Sequence, residues 1–507
     1  MMSSPVVDAP SALRPFDRWR EIIRNSAKML AAQAVQIPLQ LVSVLVIPKF
    51  VTPVDYGLWR SLLLINQYSP YLQMGTQQAM VKEMPYLSGR GDCETRQVVL
   101  NNAFYYILYA NLLLGVGLLA ASFLTRGAFA GFYAHGFRIF AVIVLLTALS
   151  SFFQDYLRID KEFTWLSILS SLTPAVNVVF SLGFLFLFRD VLGLAYALVI
   201  ANTLTVGLAL EKSGRPPFEN VRVAEIRRLI RVGFPLMLIP VLYMLIVGVG
   251  QIMILFLLGP ADLGYYSLAL SIQGFIYLAP SVLGSTLVPY LFEDYGRTNS
   301  AAASAHMFTK PTMMIGIVSA YILVGVYLFI HLPIRYYLTQ YQAGLPVIYI
   351  LLLGLYGMTL IMVAGSFIVI CGREKVFLKW QILTLAFCIV STYGAIRGGY
   401  GITGVACATI LTYLFYSTGI LYVAFRIFLK RPSEAARQIA FLYLPFLSLC
   451  ILLFLVVTFV PNHAVTFWGD LAISVWRSAI LMVASTPLLY YYYRRYVRTL
   501  LARAGNP

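Results

Sequence analysis

The chain has 507 residues, of which 60% are hydrophobic and 11% charged, with a mean hydropathy of +0.81. Soluble domains carry about 25% charged residues to solvate their surfaces, so an array of soluble domains is excluded and a lipid bilayer is the natural solvent. Thirty-seven Lys and Arg against twenty Asp and Glu leave a net charge of +17; in a membrane chain this excess reports topology, and no nucleic-acid partner is expected.

Residues 1–27 are polar and carry Arg14, Arg18, Arg20 and Arg24 in place of a signal peptide's apolar core. Arg14 to Lys28 is expected to form an interfacial amphipathic helix on the cytoplasmic face. Apolar runs of about 20 residues, the length that crosses a bilayer, follow near 30–50, 57–80, 99–122, 139–157, 166–188 and 191–210. Further runs fall near 232–258, 264–290, 311–331, 345–370, 377–396 and 402–425, and a last pair near 439–460 and 471–493. The expected fold is an all-α membrane protein of about 14 transmembrane helices. A cytoplasmic interfacial segment (1–29) precedes two six-helix bundles (30–210 and 232–425) joined by a basic linker (211–231), and a helix pair with a cytoplasmic tail (426–507) ends the chain. With both termini placed in the cytoplasm, 29 of the 37 basic residues fall in the inside segments and 8 in the odd-numbered loops, the asymmetry that short cytoplasmic loops show.

A turn recurs at equivalent places. Pro53-Val54-Asp55-Tyr56-Gly57-Leu58-Trp59 follows the first run and Pro260-Ala261-Asp262-Leu263-Gly264-Tyr265-Tyr266 follows the seventh. Both read Pro-x-Asp-x-Gly-x-aromatic. Asp160-Lys161-Glu162-Phe163 and Glu374-Lys375-Val376-Phe377 form a second pair at a similar offset. Six helices separate the copies, so the halves cross in the same sense and are expected to form a parallel repeat with an axis along the bilayer normal. The motif is also simply a good turn between helices. Parallel repeats of this kind build transporters with a substrate site between the bundles.

Polar side chains in hydrocarbon are costly and face bundle interiors or wet cavities. In the first run Gln33, Gln36, Gln40 and Ser43 recur at helical spacing. The second run carries Arg60, Asn66, Gln67, Gln73, Gln77 and Gln78, with Trp59, Asn66, Gln73 and Gln77 expected on one stripe. Tyr266 and Gln273 repeat that stripe in the eighth run, Asn177 lies in the fifth and Gln251 in the seventh. The candidate substrate cavity therefore comprises Gln33, Gln36, Gln40, Arg60, Asn66, Gln67, Gln73, Gln77, Asn177, Gln251, Tyr266 and Gln273. For each amide alone, an interhelical hydrogen bond is the alternative.

Lys28, Lys49, Lys82 and Arg231 either snorkel to headgroups or dock an anionic lipid phosphate, and Asp155 with Arg158 reads as a local pair on one helix. The first run holds no carboxylate, which leaves the energy source open. The five cysteines stand singly, the four histidines lack zinc spacing, and Gly115-x-Gly117-x-x-Ala120 sits inside an apolar helix without a preceding strand. No metal, cofactor or catalytic residue is expected.

The stretch Pro48-Lys49-Phe50-Val51-Thr52-Pro53-Val54-Asp55-Tyr56-Gly57-Leu58-Trp59, with its second copy at Leu258 to Tyr266, resembles the Wzx-type polysaccharide flippases. These stand in the superfamily that includes the multidrug and toxic compound extruders and the lipid II flippases. The resemblance spans about residues 25 to 430 and implies a MATE-like fold and a transporter, not an enzyme. Its implied cargo is an undecaprenyl-pyrophosphate-linked oligosaccharide, carried to the periplasmic leaflet of the bacterial inner membrane. Lys28 and Arg60 are the cations placed to meet the pyrophosphate. Membrane lipid, a polysaccharide polymerase and glycosyltransferases are the implied partners. A multidrug or cation exporter is the alternative in the same architecture, and a membrane polymerase or ligase stands further off because the odd-numbered loops are short.

Overall fold

The computed structural model describes residues 36–188, 190–214, 216–217, 219–298, 300–461 and 466–492. Among these there is no strand. Helix α1 (Gln36–Phe50) is followed by α2 (Pro53–Tyr68), α3 (Thr76–Arg90), α4 (Cys93–Leu124), α5 (Ala130–Ile159), α6 (Phe163–Phe188), α7 (Gly193–Ser213) and α8 (Val223–Leu257). Then come α9 (Pro260–Thr298), α10 (Ala305–Phe329), α11 (His331–Tyr336), α12 (Leu345–Ile370), α13 (Glu374–Arg397), α14 (Gly401–Phe428), α15 (Pro432–Phe459) and α16 (Phe467–Tyr492).

Eleven helices among the described residues are long and apolar enough to cross a membrane, which makes this a multi-pass membrane protein. They coincide with eleven of the fourteen expected runs. Of the other three, α1 is described only from Gln36, and α9 is one helix through the eighth run.

The remaining run, the second, does not form one helix as expected: it breaks after Tyr68. A 3-10 turn (Ser69–Gln73) follows, then Met74 and Gly75 adopt φ 47° and 84°. Pro70 has no N–H to continue the α-helical ladder, and Gly75 takes the left-handed conformation at little steric cost. Asn66 and Gln73 therefore do not share the single α-helical stripe that their spacing suggested. The expected interfacial helix at Arg14 to Lys28 lies outside the described residues.

The chain divides into two compact units. One holds the described residues up to Ser43 together with Leu62–Met237, and the other holds Val44–Ser61 and the chain from Leu238 on. This differs from the expected bundles at 30–210 and 232–425 in two places, each with a local cause. Val44–Ser61 groups with the later half because its turn packs on the second copy of that turn. The later boundary falls inside α8 rather than in the basic linker, between Pro235 and Pro240, where two ladder donors are missing.

In the first unit, α3, α4, α5 and α6 meet around Met80, Met84, Phe104, Phe152, Phe153 and Leu166, all buried. Phe104 lies 5.1 Å from Phe152 and 6.1 Å from Phe153, centroid to centroid, in edge-on and tilted packing. The basic linker is stitched to α4 by buried amides. Asn101 Nδ2 donates to the Glu219 carbonyl (3.1 Å), Asn102 Nδ2 to that of Asn220 (2.9 Å), and the Tyr105 hydroxyl to that of Pro216 (3.0 Å). In return, Arg222 N–H donates to Asn102 Oδ1 (2.8 Å).

In the second unit α12 is the most enclosed helix. Its Tyr356 ring stacks on Phe446 at 4.2 Å, and its hydroxyl donates to the Leu442 carbonyl (2.6 Å), fixing α15. At the head of α16 the fully buried Asp470 accepts from Arg335 (3.0 Å) and Tyr336 (2.5 Å), while Arg477 donates to the Val460 carbonyl at the end of α15 (2.9 and 2.6 Å).

Also in this unit, the two copies of the repeated turn meet reciprocally. A Cβ at Gly57 would overlap the Pro260 carbonyl oxygen, and a Cβ at Gly264 would overlap that of Pro53. Only glycine at both positions lets the two backbones approach so closely.

Candidate functional site

The expected site residues separate into three groups by what their side chains touch. The first is satisfied inside the second unit. Gln251 Nε2 donates to Ser267 Oγ (3.4 Å), the Tyr266 hydroxyl pairs with Thr409 Oγ1 (2.9 Å), and Gln273 Nε2 donates to the Leu351 carbonyl (3.4 Å). All three are buried, Tyr266 completely. Their geometry is that of struts between α8, α9, α12 and α14, aided by Gln381, whose amide reaches the Ile239 carbonyl (3.2 Å) and the Tyr416 hydroxyl (3.1 Å). In an apolar interior such bonds fix the register of neighbouring helices.

The second group lies in the first unit and keeps hydrogen-bonding capacity in reserve. Asn66 Oδ1 at the end of α2, Gln73 Nε2 in the 3-10 turn and Asn177 Oδ1 in α6 are shielded from solvent and have no hydrogen-bond partner among the described residues. Gln73 is 1% exposed. Leaving such an atom unpaired costs about 1–3 kcal/mol; Asn111 Oδ1 is a further amide atom of this kind in the first unit, and Gln381 Oε1 is one in the second. Gln36 Nε2 donates to the Ser170 carbonyl (3.0 Å), joining α1 to α6. Gln77 Nε2 donates to Asp155 Oδ2 (2.7 Å), whose other oxygen accepts from Arg158 (2.8 Å).

The third group is exposed, otherwise engaged, or outside the description. Gln40 faces outward on α1 and Gln67 is half-buried and engaged. Arg60 is half-buried on α2 with its guanidinium 6.0 Å from the centre of the Tyr56 ring, a cation–π distance. Lys28 and Gln33 lie outside the described residues.

Two features were missed. Asp155 was read only as a local partner of Arg158, although Gln77 reaches it from α3; helical spacing shows which residues share a face, not what that face meets. Asn111, fully buried in α4 with Oδ1 unpartnered, was not singled out. Its signal was present, since it is an amide in the middle of an apolar span.

A profile of the family described as polysaccharide biosynthesis protein matches residues 22–294, just over half of the chain. The chain belongs to that family. Its fold is shared with solved structures of low sequence identity. It superimposes on a lipid II flippase MurJ in an inward closed conformation with TM-score 0.68 at 13% identity, covering 92% of this chain and 100% of that one. An inward-facing multidrug resistance MATE family transporter of the MOP superfamily gives TM-score 0.61 at 13% identity, over 79% of this chain and 96% of the other. The outward-facing conformation of such a transporter gives 0.57 at 16%, over 82% and 96%. At these identities the likeness is one of fold. No curated protein matches the sequence significantly.

Proposed function

We propose that this polysaccharide biosynthesis protein is a transporter, not an enzyme. It flips an undecaprenyl-pyrophosphate-linked oligosaccharide from the cytoplasmic to the periplasmic leaflet of the bacterial inner membrane by alternating access, with both termini in the cytoplasm. The observation that carries the substrate class is the set of unspent amides in the first unit. Asn66, Gln73 and Asn177 each retain a buried donor or acceptor, and a glycan hydroxyl both donates and accepts, as amides do. A cation site would place carboxylates there, and a purely apolar drug site would leave such atoms unsatisfied.

In this reading Gln36, Asn66, Gln73, Gln77 and Asn177 meet the sugar, with Gln40 and Gln67 on the same helices and Gln33 a candidate from its sequence position. Arg60 and Lys28 serve the pyrophosphate, since a guanidinium or ammonium supplies charge-assisted donors to its oxygens. Gln251, Tyr266 and Gln273 act as struts of the second unit rather than as ligands. Glycosyltransferases supply the substrate and a polysaccharide polymerase consumes it.

Deleting the gene in its host tests this directly. Surface polysaccharide should be lost and the unelongated lipid-linked glycan should accumulate on the cytoplasmic side; normal surface polysaccharide overturns the reading. The exporter alternative has one observation in its favour, the half-buried carboxylate of Asp155. That carboxylate is already held by Arg158 and Gln77.

A further inference from the structure

We propose that the segment from Tyr337 to Gly344 is a strap that holds the two copies of the repeated turn closed on one another, and that it lifts once in each transport cycle. Its purpose rests on the transport reading; its geometry does not.

At the end of α1 the Pro48 carbonyl accepts a long bond from the Val51 N–H (3.4 Å) and Val51 lies just past the helix; carbonyls here lack an α-helical donor, and the strap adds donors to both. Gln340 Nε2 donates to the carbonyls of Pro48 (2.7 Å) and Val51 (2.8 Å), which uses both of its protons. Tyr341 is fully buried and its hydroxyl donates to the same Val51 carbonyl (3.0 Å). Its ring stands edge-on to Tyr56 of the first copy and Tyr265 of the second, 6.1 Å from each. At one end of the strap, Lys49 Nζ donates to the Tyr337 carbonyl (2.7 Å) and lies 4.9 Å from the centre of that ring. At the other, Gly344 abuts Tyr265, where an added Cβ would come within 3.2 Å of the tyrosine Cβ. One short segment thus binds the end of α1, the start of α2 and the start of α9.

Two properties make the closure reversible. The glycine faces beneath the strap are joined by close packing, and the hydroxyl pair beside them, Tyr56 with Ser271 Oγ, is long at 3.4 Å, so parting them loses little more than that contact. The carbonyls above them are capped by side chains of a 3-10 turn (Thr339–Gly344), a weak helix used in short pieces. Water can take over these carbonyls when the strap lifts, so each bond contributes only a small net free energy.

The test uses the full chain purified in detergent, with its five cysteines replaced and Val51→Cys introduced beneath the strap. Val51 is 3% exposed, so a water-soluble maleimide should label it slowly. Adding Gln340→Ala should speed labelling about tenfold, the factor expected when two bonds of this kind are removed. Tyr341→Phe keeps both ring contacts and the fold, and should speed labelling by a smaller factor. Equal labelling rates in all three proteins overturn the strap. In cells, Lys49→Cys with Tyr337→Cys joined by a short bis-maleimide should abolish polysaccharide export, and full export with the strap fastened overturns the requirement to lift. If deletion of the gene leaves surface polysaccharide normal, the transport reading falls while the labelling result still decides the strap.

Discussion

A methyl group on Gly57 has nowhere to go, because the Pro260 carbonyl already occupies its place, and the same holds for Gly264 against Pro53. Gly57→Ala and Gly264→Ala should each destabilise the protein by about 3 kcal/mol, the upper end of what overpacking costs, seen as an earlier thermal transition in detergent. Gly274, on the same helix as Gly264, has nothing within 4 Å of an added Cβ; Gly274→Ala should be neutral or stabilise by about 0.5–1 kcal/mol. A melt of Gly264→Ala equal to that of Gly274→Ala would remove the reciprocal contact from the account. Gln73 separates structure from function in a different way. Replacing its amide, whose nitrogen has no partner among the described residues, with an apolar group of similar shape, Gln73→Leu, should leave stability unchanged or raise it by about 1 kcal/mol, yet lower polysaccharide export. A variant that is both less stable and fully active would show Gln73 to be a structural residue. The list of polar residues was legible in the sequence because each interrupts an apolar run. Their division into struts and unspent amides was not, since the partner of Gln273 is a carbonyl 78 positions away that no local pattern announces.

Element boundaries rest on caps whose chemistry can be titrated. Asp92 caps α4, accepting the Thr95 N–H at 3.0 Å, and that bond holds its carboxyl below the usual carboxylate range. A depressed folded value means that the cap's contribution is complete above the unfolded pKa near 4 and is lost as pH falls through the folded one. Amide exchange at the start of α4 should therefore be fast in Asp92→Ala at neutral pH. In the parent it should approach that rate, after correction for intrinsic exchange, only in acid below the ordinary Asp range. At the other end of the chain, Asp470 anchors α16 through Arg335 and Tyr336. Asp470→Ala should weaken this docking by about 2–3 kcal/mol, exposing α16 to limited proteolysis before α12 or α14; unchanged protection would mean that apolar packing alone holds the helix. Thr52 starts α2 in the same style, its hydroxyl accepting the Asp55 N–H (3.2 Å) as an N-cap and donating to the Asp55 carboxylate (2.7 Å). That start was readable from the repeated turn. The break between α2 and α3 also had its markers, Pro70 and Gly75, but a hydropathy pattern reports burial and passes over them.

At the scale of the whole molecule, the apolar runs were readable because a bilayer demands that backbone polar groups be satisfied within each segment, which leaves helices as the only spanning element for such sequences. The grouping of those helices was less readable. Val44–Ser61 joins the later half of the chain through contacts between residues some 200 positions apart, visible in sequence only as a repeat and not as an interface. The expected orientation can be tested as a unit. Reporter fusions after Arg90, Lys161, Arg373 and Lys430 should register as cytoplasmic, and fusions after Arg126 and Gly399 as periplasmic. The reversed pattern would invert the topology inferred from charge.

The meeting of the two turns also has a genetic consequence. A duplicated motif whose copies touch cannot drift independently, because enlarging one copy is a steric insult to the other. Revertants of a damaging side chain at position 57 should therefore arise around 260–264, half a chain away, more often than beside the original lesion.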